Sequence, residues 1–329
     1  MHKKSLVAPV VSRCSQQLSS HNKLVSFAFA ADGSLTIGRM RNFEVLFDEG
    51  EPSPVEDAAY SPYGRLGFPA PPASRPWIFS NLVQTLDGIV SLKGKHGSGM
   101  DISQSEEDRW LMDLLRAHAD GLLLGTGTLI EEARIGRRER GPVFRIMAPE
   151  LRELRRKLGR GREKNIFVTS SALIDLNAFR AFDGEHVDAV ILTTRRGAER
   201  LANISREKGV RVLAAGEENV DLRLAMRLLY EEFGVHHLLC EGGPTLYGAM
   251  IRAGLIDEKF VTVSPVEVGQ LIPPEQQRTE MDAPRETSLR PTTFSGVGFT
   301  KDDAPWWKWM SCRRVGDHQF NRYRRKQAS

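Results

Sequence analysis

Short apolar runs alternate with segments of helical periodicity from about residue 75 to the C-terminus. Runs such as GLLLG (121–125) and AVILTT (189–194) are typical of buried strands, whereas DISQSEEDRWLMDLLRAHA (101–119) has the apolar spacing of a helix. Ser103 is predicted to cap this helix, and Glu106 to complete a capping box. The alternation predicts an α/β fold with a mostly parallel, doubly wound sheet and helices on both faces.

Two further strand pairs are predicted at the ends of the chain. WWKWMSCRR and HQFNRYRR flank a Val-Gly-Asp turn, which predicts a C-terminal antiparallel hairpin at one sheet edge. LVSFAFAADGSLTIG (24–38) predicts another hairpin around Asp32-Gly33, and a stretch rich in Pro, Gly and acids follows at 48–76. The predicted division is an N-terminal extension, 1–74, and a main domain, 75–329.

Composition is typical of a soluble globular protein, with 329 residues, 40% hydrophobic and 27% charged, and a net charge of +4. Such a mildly basic chain suits anionic small molecules, but the charge alone does not select a partner. Cys14, Cys240 and Cys312 form no Cys-x-x-Cys pair, so we predict no metal site and no disulfide framework. The chain has no apolar run of about 18 residues, so we expect a cytoplasmic protein that does not span a membrane.

Two glycine-containing loops follow predicted strands and precede helical segments. Ligands of doubly wound sheets bind beyond the carboxyl ends of strands, where glycine lets backbone N–H groups approach a phosphate. A helix N-terminus adds a favourable dipole at the same place. Neither loop is a Gly-x-Gly-x-x-Gly or Walker motif, yet two of them in one sheet favour a dinucleotide over simple tight turns. The first glycine loop is Gly125, Thr126, Gly127 and Thr128, and the second is Gly242, Gly243, Pro244 and Thr245.

Two other strand ends, and the residue just before the second glycine loop, carry polar candidates. Thr193, Thr194 and Arg195 would suit the 2′-phosphate of NADP, although a solvated loop fits them equally well. Asn81 and Asp87 are six residues apart, so a straight strand would direct both to one face. Glu241 ends an apolar strand, where burying a carboxylate is costly unless it binds something.

Three segments together resemble one known family. NLVQTLDGIVSLKG, LLRAHADGLLLGTGTL and LLCEGGPTLYGAMIRAGLIDEKFVTVSP, in this order and spacing, resemble the reductase domain of the bifunctional deaminase-reductase of riboflavin biosynthesis. The resemblance covers roughly 75–324 and implies a dihydrofolate-reductase-like fold and a homodimer. It also implies hydride transfer from NADPH to the ribose of a ribosylaminopyrimidine phosphate, with no nucleic acid or membrane as partner.

The resemblance assigns roles to the candidate residues. Both glycine loops would hold the cofactor phosphates, and the 193–195 region would meet the 2′-phosphate. Asn81 and Asp87 match polar positions beside nicotinamide and substrate, and Glu241 matches the acid that closes the site. Our hypothesis is that Glu241 or Asp87 orients the sugar imine or helps deliver a proton.

The sequence departs from the family after the first glycine loop. LIEEARIGRRERGP (129–142) lacks the expected proline and the Leu-Thr-Val-Arg stretch, and Met100-Asp101 stand where a Trp is expected. The N-terminal residues also lack the His-x-Glu and Pro-Cys-x-x-Cys signature of zinc deaminases. Glu131 and Glu132 can stand for the acidic pair; Arg134, Arg137 or Arg138 would replace the phosphate-binding arginine, and we assign Glu132 and Arg134 to the substrate.

Three alternatives remain beside the riboflavin-type reductase. The altered 131–140 loop favours an NADPH-dependent reductase of another small molecule on the same fold. A protein that binds NADPH without catalysis is a second alternative. A nucleic-acid binder is disfavoured because acids dilute the arginine-rich run at 134–164 and no nucleic-acid motif accompanies it.

Overall fold

The computed structural model describes residues 25–29, 35–39, 42–92, 99–135, 145–182, 188–270 and 290–326. The chain divides into two compact units, Met1–Met40 and Arg41–Ser329. In the first unit, β1 (Val25–Phe29) pairs antiparallel with β2 (Leu35–Arg39), which confirms the predicted N-terminal hairpin. None of the helices in the described ranges is long and apolar enough to cross a membrane.

The second unit is built on one ten-stranded sheet. Its strands are β3 (Glu44–Asp48), β4 (Trp77–Gln84), β5 (Gly121–Gly125), β6 (Lys164–Val168), β7 (Asp188–Thr193), β8 (Arg211–Ala214), β9 (His237–Gly242), β10 (Glu258–Val263), β11 (Trp307–Val315) and β12 (His318–Arg325). Its described α-helices are α1 (Gly99–Ser103), α2 (Glu106–His118), α3 (Thr126–Ile135), α4 (Pro149–Lys157), α5 (Arg195–Lys208), α6 (Leu222–Phe233) and α7 (Pro244–Arg252).

The strand order is β3-β11-β12-β10-β4-β9-β5-β6-β7-β8. The seven strands from β10 to β8 are parallel, whereas β12, β11 and β3 continue the sheet antiparallel. A mostly parallel sheet with an antiparallel C-terminal hairpin is the fold that the sequence predicts, and this prediction is confirmed. In sequence, β4 is followed by β5, but the two strands are not neighbours in the sheet. The later strand β9 lies between them.

Helices cover both faces of the parallel part. On one face, Ile78 and Leu238 pack in a buried cluster with Met226 of α6 and Met250 of α7. On the other face, Phe79 stacks on Phe68, a residue that also contacts the α2 side. Each central strand therefore buries both of its faces, which explains why these strands are almost continuously apolar in sequence.

Two local predictions differ from the structure. Helix α2 is capped by Ser105, whose hydroxyl accepts a hydrogen bond from the Asp108 amide at 3.2 Å. Ser103 instead ends the short helix α1, so the predicted cap and capping box are wrong. The chain contains two serines two residues apart before the same acidic turn, and only the position of the α1 break selects between them.

The segment between 42 and 74 belongs to the second unit, although the sequence placed it in the N-terminal extension. Its strand β3 pairs with β11, and buried Arg313 fixes it by donating to Asp48 Oδ2 at 2.7 Å and to the Tyr63 carbonyl at 2.8 Å. Arg322 donates to the Gly67 carbonyl at 2.8 Å and to Glu258 at 2.7 Å. These arginines come from a distant part of the sequence, so local composition could not reveal the contact.

Candidate functional site

The candidate site lies at the carboxyl ends of β4, β9 and β5, which are neighbours in the sheet. The chain connects β4 to β5 and only later inserts β9 between them, so successive connections leave this point in different directions. Such a change of strand order opens a crevice at the carboxyl edge of the sheet, where α/β proteins bind their ligands.

The two glycine loops meet in this crevice. Thr128 Oγ1 donates to the Gly242 carbonyl at 3.3 Å, and a Cβ added to Gly243 would lie only 2.3 Å from the same hydroxyl. Gly243 also has a φ of +86°, which disfavours any other residue. The structure therefore brings together two loops that are 114 residues apart, as their shared prediction as a cofactor cradle requires.

Two helices begin at this junction. The first glycine loop passes directly into α3 at Thr126, and the second into α7 at Pro244. The N-cap of α7, Gly243, makes no side-chain capping hydrogen bond, and a Cβ on Gly127 would meet nothing within 4 Å among the described atoms. Open space and helix N-termini at one place form a site suited to an anion.

At the end of β7, the two predicted threonines have structural roles, whereas the predicted arginine is exposed. The Thr193 side chain is fully buried against Gly197. The Thr194 hydroxyl caps α5, because it accepts from the Gly197 amide at 3.0 Å and donates to the Ser170 carbonyl at 3.1 Å. Arg195 is exposed and pairs with Glu217 at 2.7 Å. Exposed pairs of this kind are weak, so Arg195 can exchange Glu217 for a phosphate.

Glu241 is held by a residue that the sequence reasoning did not select. The Arg116 guanidinium donates Nε to Oε1 at 2.8 Å and Nη2 to Oε2 at 2.6 Å, and both side chains are only 14% exposed. The same guanidinium donates to the Arg145 carbonyl at 3.0 Å. Since both carboxylate oxygens accept from one guanidinium, Glu241 fixes the end of β9 against α2.

Helix α2 also fixes the chain on the far side of the altered loop. Asp113 Oδ2 accepts from the amides of Met147 at 2.7 Å and Ala148 at 3.0 Å, at the start of α4. Burial raises the pKa of this carboxyl. The backbone of Glu132 and Arg134 lies in α3, but their side chains lie outside the described residues, as do residues 136–144. Their predicted contact with substrate stays a prediction.

Asp87 lies in an exposed turn after β4. Its Oδ1 accepts from the Thr85 hydroxyl at 2.5 Å, and its Oδ2 accepts from the Gly269 amide at 2.7 Å. The hydrogen bond from Thr85 is the main cause that lowers the pKa of the Asp87 carboxyl. Asp87 therefore stays ionised and ties the loop after β4 to the chain beyond β10.

Asn81 lies on the face of β4 that is covered by α2, where Asp108 forms part of a polar group. Within the described ranges, Asn81 Oδ1 is buried and accepts no hydrogen bond. The Asp108 carboxyl faces the hydroxyls of Ser103 and Thr262, which lie near it without completing a hydrogen bond of normal geometry. Burial raises the pKa of Asp108. An unfilled buried acceptor on this face of the sheet is what a polar ligand would satisfy.

Asp108 was not predicted from the sequence, because an acid in the first turn of a helix is ordinarily explained by the helix dipole. Arg116 was not predicted either, because its partner Glu241 is 125 residues away in the sequence. In both cases the informative signal is the burial of a charged residue, which requires the sheet order to be known.

The fold and the joined glycine loops define an α/β protein with a crevice at the carboxyl edge of its sheet, where two helices begin. The chain belongs to the RibD C-terminal domain family, whose model matches residues 76–314. The family predicted from the three sequence segments is therefore confirmed.

Relatives in this family are similar over most of their own length. The chain is 31% identical over 198 residues to the 2,5-diamino-6-ribosylamino-4(3H)-pyrimidinone 5′-phosphate reductase of Archaeoglobus fulgidus, covering 59% of this chain and 83% of that protein. It is 29% identical over 196 residues to the protein of the same name from Methanothermobacter thermautotrophicus, covering 59% and 80%.

Solved structures share the fold at low identity. Acinetobacter baumannii RibD has a TM-score of 0.56 at 17% identity, with 78% of this chain and 59% of that chain covered. A pyrimidine reductase-like protein from Corynebacterium diphtheriae has a TM-score of 0.57 at 18% identity, with 77% and 93% covered. The chain thus spans little more than half of the baumannii protein, and these similarities concern the fold alone.

Proposed function

We propose that the protein is an NADPH-dependent reductase of riboflavin biosynthesis that reduces the ribose of a ribosylaminopyrimidine phosphate to a ribityl chain. The junction of the two glycine loops, with Thr128 bonded to Gly242, is the observation that carries this proposal. Membership of the RibD C-terminal domain family and the reductase names of the relatives support it.

The cofactor phosphates would lie on the two glycine loops, at the N-termini of α3 and α7. A bound nicotinamide cofactor would supply hydride to the sugar carbon. Selectivity for NADPH would come from Arg195, which is exposed and can leave Glu217 for the 2′-phosphate. The buried hydroxyls of Thr193 and Thr194 would support this residue by fixing the start of α5 rather than by touching the phosphate.

The chain's own contribution to the reaction is to bind the sugar and to provide a proton. Asp87 and Glu241 accept hydrogen bonds at both oxygens, which suits positioning better than proton donation. Asp108 suits donation, because burial favours its neutral form. Asn81, on the same side of the sheet, offers an unfilled acceptor to a sugar hydroxyl or amine.

A reductase of another small molecule is the second candidate function. The departure of residues 131–140 from the family pattern favours it, since the expected phosphate-binding stretch is replaced there. The cofactor, fold and proton donor would be the same. A homodimer stays a prediction that sedimentation analysis of the purified protein would test.

The test is to titrate the protein with NADPH and NADH, and then to follow nicotinamide absorbance after adding 2,5-diamino-6-ribosylamino-4(3H)-pyrimidinone 5′-phosphate. We expect NADPH-selective binding and turnover, with selectivity reduced about tenfold in Arg195→Ala. Arg206→Ala, at the exposed far end of α5, is the matched control. Binding without turnover would move the function to the second candidate, and failure to bind NADPH would overturn both.

A further inference from the structure

A cavity of about 210 Å³ lies on the other face of the sheet from Asn81. It is partly open to solvent and is bordered by β4, β10 and β12, by α7, and by the chain from Thr293 to Trp307. Its size is below that of sites for drug-sized ligands, which begin at about 300 Å³, so it would hold a molecule of one or two rings. We refer to it as the Lys259 cavity.

The Lys259 cavity is separate from the candidate active site. Side chains alternate between faces along a strand, so Leu82 of β4 and Lys259 of β10 point away from the face that carries Asn81 and Thr262. Tyr247 of α7 closes the cavity above the strands. The sheet itself therefore lies between the cavity and the polar group around Asp108.

Lys259 brings an unpaired charge to this cavity. Its Nζ lies 4.5 Å from the ring centroid of Trp307 and 5.4 Å from that of Tyr323. No carboxylate and no hydrogen-bond acceptor reaches this Nζ from the described part of the chain. Burial lowers the pKa of the Lys259 ammonium to about 8, so it remains mostly protonated at pH 7.

The aromatic rings stabilise this ammonium only in part. Cation–π attraction contributes about 0.5–2 kcal/mol, and a ring face accepts N–H groups poorly. The ammonium is half-buried and has no oxygen acceptor from the described residues, so a ligand carboxylate would add a charge-assisted hydrogen bond to it. The cavity thus combines a lysine ammonium that has no carboxylate partner among the described residues with aromatic rings beside it.

We propose that the Lys259 cavity is a second ligand site, which binds a small planar aromatic carboxylate. The carboxylate pairs with the Lys259 ammonium, and the ring packs between Trp307 and Phe294. Gln84 and Thr293 add polar atoms at the wall. Inorganic phosphate is disfavoured, because its removal from water costs more than that of a singly charged carboxylate.

The experiment is calorimetric titration of the full-length protein with benzoate at pH 7. We expect saturable binding of one benzoate per chain, weakened at least tenfold in Lys259→Met. Lys308→Met is the matched control, since Lys308 is an exposed lysine of β11 that pairs with Glu49 at 2.8 Å outside the cavity. Trp307→Leu is expected to weaken binding independently, through loss of the ring wall. Thermal melting of each variant shows that it is folded.

Ligand and pH controls test each part of the proposal. Benzyl alcohol and inorganic phosphate, which lack the charge and the ring respectively, should bind at least tenfold more weakly than benzoate. Benzoate affinity should fall about 30-fold between pH 7 and pH 9.5, following the protonated fraction of a lysine whose pKa is about 8. Affinity should be the same in the presence of saturating NADPH, whether or not the protein turns over any substrate.

Three results would overturn this proposal. One is the absence of saturable benzoate binding to a folded protein, and another is equal binding to wild type and Lys259→Met. The third is displacement of benzoate by NADPH, which would show that the anion occupies the cofactor crevice. The first two results leave the proposed reductase activity unaffected, because its polar group around Asp108 lies on the other face of the sheet.

Discussion

Replacement of Arg116 by methionine should weaken both the fold and the cofactor crevice. The substitution leaves the Glu241 carboxylate without its bidentate partner at a position where only 14% of the side chain is exposed. Exposed pairs contribute about 0.2–1 kcal/mol, whereas breaking a buried pair costs about 3–5 kcal/mol. The pair is nearly buried, and the substitution also removes the hydrogen bond that Arg116 donates to the Arg145 carbonyl. We therefore expect a loss of about 2–3 kcal/mol in the free energy of unfolding.

Urea denaturation of a double-mutant cycle measures this cost. Glu241→Gln removes the stranded charge, so Arg116→Met/Glu241→Gln should be more stable than Arg116→Met by about 1 kcal/mol or more. NADPH affinity should fall about tenfold in Arg116→Met, because Glu241 directly precedes the second glycine loop. Additive effects of the two substitutions, or a loss below about 0.5 kcal/mol in Arg116→Met, would refute the reasoning.

Further predictions concern a glycine, an acid and a histidine. Gly243→Ala should abolish NADPH binding in a folded protein, because its Cβ would lie 2.3 Å from Thr128 Oγ1 at a φ of +86°; unchanged binding in a titration would contradict the placement of the phosphates. Asp108→Asn should lower turnover at least 100-fold with little change in NADPH affinity. Because burial raises the pKa of Asp108, wild-type turnover should fall as pH rises through that pKa, and a stopped-flow profile that is flat with pH would exclude its role as the acid. His118 is buried and neutral: its Nδ1 donates to the Leu114 carbonyl at 2.9 Å, its Nε2 accepts from the Tyr60 hydroxyl at 2.8 Å, and burial lowers its pKa to about 3. The unfolded chain binds a proton at this residue below about pH 6.5 and the folded chain does not, so stability should fall between pH 6.5 and 3 by at most about 5 kcal/mol. Urea denaturation in this range should show a smaller pH dependence in His118→Gln than in wild type.

Much of the fold follows from local patterns in the sequence. The central strands are apolar on both faces, and each helix has an apolar side, so their alternation could be detected without a structure. The glycine loops could also be found, because Gly243 is at a position that other residues rarely adopt. The resemblance to a family then supplied the dihydrofolate-reductase-like fold, which periodicity does not contain.

The remaining features depend on contacts between distant residues. Nothing near Glu241 in sequence indicates that Arg116 neutralises it, and nothing in the proline-rich segment indicates that Arg313 anchors Asp48. A capping serine could be expected but not chosen between Ser103 and Ser105, because both precede the same acidic turn. Charge burial decides the roles of these residues, and burial is a property of the assembled sheet.

The late insertion of β9 has a consequence for how the protein is made. Strand β4 ends at Gln84, yet both of its neighbours, β9 and β10, are synthesised only from His237 onward. For more than 150 residues of translation the edges of β4 therefore stay unpaired on the nascent chain. Exposed strand edges invite pairing with other chains, and such long-range pairing folds slowly. The crevice at these strand ends thus forms late in synthesis, and we expect the nascent chain to depend on protection from aggregation until β4 is paired.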